Sequence, residues 1–431
     1  MAHQEAVTIR AWIREGAMDA LETALAQINA DIERNALLPF GLMPTVHFAR
    51  FVVLENADVN GRIVPASLVY ASNVDGASAT HLEVLAALGN GIDEVWQHCD
   101  GYPAATARTR ESRIDFLRSH MIASQTFYTN TIGRTVRQAR DEGMLREALQ
   151  RVLDDDQLQR GARARIPDDL AGVMRTAMRN DPALRDMLRG AEGLGLDWHV
   201  KEVLSWAGAV VAGIVLLPVA VVVVPVWLIA LRMLEIRDAS EPPLKLAAFR
   251  RGDLAIAEDH VVQNQFSAVG CVKPNALRRV TLRALLAAAD FATRHYFNKG
   301  DLGTFRPLGL NGVDTIHFAQ WIVLDDGYRV LFFSNYDGSL TSYMDDFINK
   351  VAWGLNAVFS HGESYPKTRW LVLDGATDEQ NFKAFLQKHQ IPSQAWYSGY
   401  KGSTALNLAN NAAIRAGLSG DAYSTNWLER L

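Results

Sequence analysis

Thr45-Val46-His47-Phe48-Ala49 and Thr315-Ile316-His317-Phe318-Ala319 are nearly the same phrase, written twice in one chain of 431 residues. Reading outward from it, Ser72-Asn73-Val74-Asp75-Gly76 returns as Ser334-Asn335-Tyr336-Asp337-Gly338. His98 with Tyr102-Pro103 returns as His361 with Tyr365-Pro366. Phe116-Leu117, His120, Ile122, Ser124-Gln125 and Tyr128 return as Phe385-Leu386, His389, Ile391, Ser393-Gln394 and Tyr397. The order is the same and the spacing similar, which is the mark of an internal duplication. It sets an N-terminal half over 1–150 against a C-terminal half over 255–431.

Each half predicts the same element order. Residues 6–13 alternate like a strand, and 16–28 carry apolar residues at helical spacing. Strands follow over 46–54 and 67–72, and in the second half over 316–324 and 329–334 around the hairpin signal Asp325-Asp326-Gly327. Helices are expected over 80–98 and 341–360, and a fourth strand over 369–373. The order β-α-β-β-α-β is that of a ferredoxin-like unit, so the fold class is α+β with two tandem units.

Between the halves the chain changes character. Residues 151–204 read as an arginine-rich helical connector, either a solvated spacer or an arm for anionic lipid headgroups. From Trp206 the next charged residue is Arg232. About 20 apolar residues suffice to cross a bilayer as a helix, so 205–234 is expected to be membrane-embedded. Pro218 and Pro225 interrupt its hydrogen bonding and favour a re-entrant hairpin over a kinked span or a buried core helix. Units that pair within one chain also require both halves on one side of a membrane, whereas a true crossing leaves the pairing to different chains. Pro242-Pro243 mark a linker over 235–254.

Composition narrows the class. Half the chain is hydrophobic, the formal net charge is −5 and the pI is near 6.1, without the basic excess of a nucleic-acid binder. Two cysteines, Cys99 and Cys271, cannot build a disulfide framework.

The polar residues that occur twice are the candidates for chemistry. Asp75 and Asp337 each end a strand ahead of a glycine and a helix. A carboxylate there either caps that helix or acts as an acid–base group at the mouth of the sheet. His47 and His317 open a strand in apolar sequence, as hydrogen-bonded core groups or as ligands. His98 and His361 fall near helix ends, where an imidazolium complements the dipole and a neutral ring can hold a metal or haem iron. The polar run 258–266, with His260, has no clear counterpart in the first half and draws the site toward the second. Tyr397 and Tyr400, with Asn407 and Asn411 one helical turn apart, add a polar-aromatic patch. No zinc, di-iron, P-loop, dinucleotide or nucleophile-elbow motif is present.

Two ferredoxin-like units, each with Asp-Gly after the third strand, resemble the dimeric α/β-barrel superfamily. Its dye-decolorizing peroxidases and chlorite dismutase-like proteins are similarly duplicated and bind haem in the C-terminal unit. The peroxidases carry Gly-x-x-Asp-Gly, and here Ser72 and Ser334 stand in the first glycine position. The resemblance implies an intramolecular dimeric α/β barrel and Asp337 or Asp75 as distal acid. It also implies Arg369 as distal arginine by strand position, and His361 or His317 as iron ligand. The runs at 316–321, 334–347 and 396–400 also resemble those of uncharacterised bacterial membrane-associated proteins. The expectation is a membrane-associated, peroxidase-like oxidoreductase, haem-dependent, acting on an apolar small molecule from the bilayer. The alternative is a non-catalytic membrane-anchored module that binds lipid or a partner. Expected partners are the lipid bilayer and a further copy of the chain, not nucleic acid. The expected location is a bacterial inner membrane with both units on the cytoplasmic side.

Overall fold

Both copies of the repeated phrase fold into antiparallel strands of a computed structural model. It describes residues 3–160, 167–189, 194–238, 261–296, 313–419 and 427–431. His260 and most of the linker predicted over 235–254 lie outside the described residues.

The N-terminal half contributes β1 (Gln4–Trp12), β2 (Val46–Leu54), β3 (Ser67–Asp75) and β4 (Thr126–Thr129). The C-terminal half contributes β5 (Gln263–Cys271), β6 (Ile316–Leu324), β7 (Arg329–Asp337) and β8 (Ala395–Ser398). They form two four-stranded antiparallel sheets, in the orders β1-β3-β2-β8 and β4-β6-β7-β5. The short last strand of each half is exchanged: Tyr397 in β8 pairs with Ala49 in β2, and Tyr128 in β4 pairs with Ala319 in β6.

The sheets meet face to face. Val52, Leu54, Val69 and Ala71 of the first pack on Ile322, Leu324, Leu331 and Phe333 of the second. The outer faces are covered by helices. Leu21, Leu25 and Ile28 of α1 (Met18–Ala30) pack on Val7, Ile9, Phe51 and Tyr70. In the second half Phe347 and Leu355 of the helix Leu340–Phe359 join Phe382 and Phe385 over Phe266 and Phe332. Central strands covered on both faces read as nearly continuous apolar runs, which is why β2 is buried along its whole length.

Three expectations change. The helix predicted over 80–98 is two helices, α2 (Ser78–Ala87) and α3 (Asn90–Trp96), parted at Gly89, whose φ of 56° suits glycine. The fourth strand predicted over 369–373 is a two-residue hairpin, Thr368–Arg369 against Leu373–Asp374. Trp370, Leu371 and Asp374 have positive φ and turn the chain there, so the fourth strand falls to β8. The apolar segment is one continuous helix, Leu196–Arg237, with Pro218 and Pro225 inside it, not a hairpin. A proline removes a single hydrogen bond, and the remaining turns carry the helix past it.

The helices between are, in chain order, α4 (Arg110–Ser119), α5 (Val136–Arg160), α6 (Pro167–Asn180), α7 (Pro182–Arg189), the apolar helix α8 (Leu196–Arg237) and α9 (Ala276–His295). After them come α10 (Leu340–Phe359), α11 (Glu379–His389) and α12 (Ala405–Ser419). The connector is no bare spacer. Met174, Met178 and Leu184 of α6 and α7 share a core with Leu145 and Leu149 of α5 and Ile414 and Leu418 of α12.

Helix α8 is long and apolar enough to cross a membrane. Both of its ends are nonetheless tied to one body. Near the start, Trp206 packs on Phe291 and His295 of α9 and on Tyr296 just past it, and Glu202 pairs with Arg294 at 3.4 Å. Near the end, Trp227 Nε1 donates to Thr281 of the same α9 at 2.8 Å. There the buried Glu235 accepts the N–H groups of Trp370 (2.9 Å) and Leu371 (2.8 Å). Between these ties the side chains are exposed, Ile214 by 69% and Leu217 by 61%.

Candidate functional site

The strand register slips at the same place in both halves, between Val46 and Phe48 and between Ile316 and Phe318. The residues bulged out are His47 and His317. A bulge re-aims one side chain out of the alternation, and here it turns each imidazole toward the end of its own sheet. His47 Nε2 donates to Asp75 Oδ1 at 2.9 Å, and His317 Nε2 donates to Asp337 Oδ1 at 2.7 Å. A carboxylate can only accept, so Nε2 carries the proton. In the uncharged ring this leaves His47 Nδ1 to accept from the Tyr400 hydroxyl at 3.1 Å.

The second oxygen of each carboxylate is also committed. Asp75 Oδ2 accepts the N–H of Val136 at 2.8 Å, and Asp337 Oδ2 accepts that of Ala405 at 2.7 Å. These are the first residues of α5 and α12, the helices that follow the exchanged strands. The expected cap on the helix next in sequence is not made: α10 is capped by Ser339, and the first N–H of α2, that of Ser78, goes to Glu5 on β1 at 2.7 Å. Each aspartate instead caps a helix whose preceding strand lies in the opposite sheet.

Two glutamines complete the latch. Gln4 pairs in register with Asp75, and Gln263 with Asp337. Gln4 Oε1 accepts from Gly133 N at 2.9 Å and Gln263 Nε2 donates to Ser403 O at 2.6 Å, each holding the loop ahead of α5 or α12. The polar run around Gln263 therefore has a counterpart in the first half. It was hidden because Gln4 stands alone in an otherwise dissimilar stretch.

The two dyads share one small cavity. His47, His317, Tyr400 and Arg134 line about 20 Å³, room for about one water molecule. Burial pushes the Tyr400 hydroxyl well above its ordinary pKa and lowers that of Arg134. Phe48 lies against His317 and Phe318 against His47, with ring centroids 5.4 and 5.0 Å apart, so each half's phenylalanine walls the other half's histidine. Deeper between the sheets sits Arg50, 3% exposed. It donates to the carbonyls of Phe266 (2.9 Å) and Ser334 (3.0 Å), to Ser267 (3.0 Å) and to Asn335. Removal from water draws its pKa down to about 9. Its counterpart by the repeat is Gln320, so sequence comparison marks Arg50 only as a broken symmetry.

The other candidates do not join this centre. Arg369 is exposed on the hairpin and pairs with Asp374 at 3.4 Å. His361 is fully buried, with neither ring nitrogen hydrogen-bonded among the described residues. Burial first, then Arg278 and Lys273, push its pKa down to about 3. His98 lies just past α3, half-buried, its carbonyl accepting from Arg14 N at 2.9 Å. Tyr397 is buried in β8 and its hydroxyl accepts from Arg140 at 2.9 Å. Asn411 is buried on α12 with its Oδ1 unpartnered among the described residues, and Asn407 is half-buried one turn earlier.

Haem does not fit these surroundings. The His317 Nε2 is taken by Asp337 and the space beside it is water-sized, and the cavity of about 40 Å³ lined by Gly362 and Glu363 does not reach His361. Among the described residues, no three His, Cys, Asp or Glu side chains converge as a metal site.

A cavity of ligand size lies elsewhere. About 360 Å³ opens where the foot of α8 meets β1, β4 and α9, lined by Trp198, Lys201, Glu5, Phe127, Asp290 and Arg294. No sequence motif pointed to it, because its residues come from four separate segments.

The fold and site together define an α+β chain with a duplicated His–Asp latch and one long apolar helix. No protein-family model matches it, and no curated protein is similar to it in sequence.

Proposed function

We propose that this chain is a membrane-associated module that binds an amphiphilic molecule, built as two ferredoxin-like units closed into an intramolecular dimeric α/β barrel. The observation that carries the reading is the division of space. The His–Asp dyads enclose room for one water, whereas the 360 Å³ cavity lies at the foot of the apolar helix. Ligand sites usually occupy about 300 Å³ or more. In this reading the dyads are latches that hold the exchanged strands. Helix α8 lies in the bilayer with the body on one side, since both its ends are tied to α9. Flotation of the full chain with phospholipid vesicles tests the reading. The wild type floats, and Val215→Lys with Val222→Lys, both on the exposed apolar surface, stays at the bottom. Equal flotation of the two overturns it.

A second reading, a membrane-associated peroxidase-like oxidoreductase, draws on the dyads themselves. A carboxylate that orients an imidazole is an acid–base arrangement, and Asp337 with His317 would carry it. No step through haem follows, for want of space beside either histidine. Peroxide-dependent oxidation of an apolar dye by the detergent-purified chain decides. Turnover that Asp337→Asn abolishes favours the oxidoreductase, and no turnover above buffer removes it.

A further inference from the structure

The cavity at the foot of α8 carries both signs of charge within one ligand-sized space. Lys201 is exposed on α8, and Arg294 projects from α9 and shares its charge with Glu202 at 3.4 Å. Two carboxylates line the same space, one of them on α9 a turn before Arg294. Glu5 on β1 accepts the N–H of Ser78 at 2.7 Å and pairs with His3 at 3.1 Å, and Asp290 on α9 accepts the N–H of Phe127 at 2.9 Å. Burial raises the Asp290 pKa, so this carboxylate gains from a cationic partner. Trp198 and Phe127 supply apolar wall. Trp198 stands two turns ahead of Trp206, where the exposed apolar run of α8 begins. Tryptophan at the edge of an apolar helix marks headgroup depth.

We propose that this cavity binds the zwitterionic head of a phosphate–ammonium amphiphile. Lys201 and Arg294 hold the phosphate, and Asp290 and Glu5 hold the ammonium. A single-sign ligand would meet charges of its own sign in the same space, whereas a zwitterion pairs with both at once. The proposal rests on the membrane reading for the source of the amphiphile, but not for the chemistry of its head. The same chemistry is offered by a soluble phosphoamine, and the test separates the two sources.

Glycerophosphoethanolamine and inorganic phosphate are titrated calorimetrically into the full chain in maltoside detergent. Flotation is then compared between phosphatidylglycerol vesicles with and without phosphatidylethanolamine. The expected result is tighter binding of glycerophosphoethanolamine than of phosphate, and stronger flotation with phosphatidylethanolamine. Lys201→Ala, an exposed position, weakens the glycerophosphoethanolamine affinity about tenfold. Asp290→Asn keeps an acceptor for Phe127 and abolishes the preference over phosphate. Equal or absent binding of the two soluble probes overturns the proposal, even if the vesicles still float the protein and the membrane reading stands. Binding of glycerophosphoethanolamine without flotation supports the cavity and overturns the membrane reading.

Discussion

Asp75 reaches across the molecule to Val136: its Oδ2 accepts the first N–H of α5 at 2.8 Å, while its Oδ1 holds His47. Since β4, the strand ahead of α5, belongs to the opposite sheet, one carboxylate joins the end of one sheet to the chain leaving the other. Asp337 does the same for Ala405 and His317.

Loss of either latch costs stability. Asp337→Ala strands a buried N–H and a buried imidazole together, and is expected to lower unfolding free energy by about 3 kcal/mol. Asp337→Asn keeps an acceptor and costs roughly half as much. Urea unfolding followed by tryptophan fluorescence checks both. Equal stability of the wild type and the alanine variant would remove the latch.

Arg50 has no carboxylate among its hydrogen-bond partners in the described residues, only carbonyls, a hydroxyl and amide oxygens from β5 and β7. Arg50→Met fills the volume but leaves two carbonyls bare between the sheets, for an expected loss of about 3 kcal/mol. Arg50→Lys restores one or two of these bonds and recovers part of it. A methionine variant as stable as the wild type would show that the polar layer contributes nothing net.

His361 makes stability pH-dependent. Its folded pKa, near 3, lies below the unfolded value near 6.5, so the unfolded chain takes up a proton first as pH falls. Stability is full above about pH 6.5 and drops by about 3 kcal/mol toward pH 4. His81, with a pKa pulled to about 4 by burial, adds to the same slope. His361→Leu flattens the profile between pH 6.5 and 4, and an unchanged slope would count against the assignment.

The ties at Glu202 and Trp227 place both ends of α8 beside α9. In a Cys271→Ser background, with Cys99 fully buried, single cysteines at Val203 and Ile236 are expected to react with an impermeant maleimide from the same side of sealed vesicles. Both native side chains are exposed, by 67% and 57%. Reaction from opposite sides would establish a crossing helix.

Much of the local structure was legible in the chain. The repeat located β2 and β6 with their histidines, because strand pairing and a shared bulge call for the same short phrase in both copies. The apolar run announced α8, since no charge interrupts it between Trp206 and Arg232. The prolines misled, because a long helix tolerates the loss of two hydrogen bonds that a short one does not.

What the sequence by itself determined, then, is the repeated phrases, the alternation of strands and helices and the continuous apolar surface of α8, each legible within short stretches of chain. The tertiary structure alone decided that the last strands are exchanged. It also decided that Asp75 and Asp337 cap distant helices, that Arg369 stands apart from the dyads, and that a charged cavity forms at the foot of α8. Those depend on which buried N–H meets which carboxylate across a sheet-to-sheet contact. Such pairing is selected by the cost of leaving either group unsatisfied, and no spacing within the chain records it.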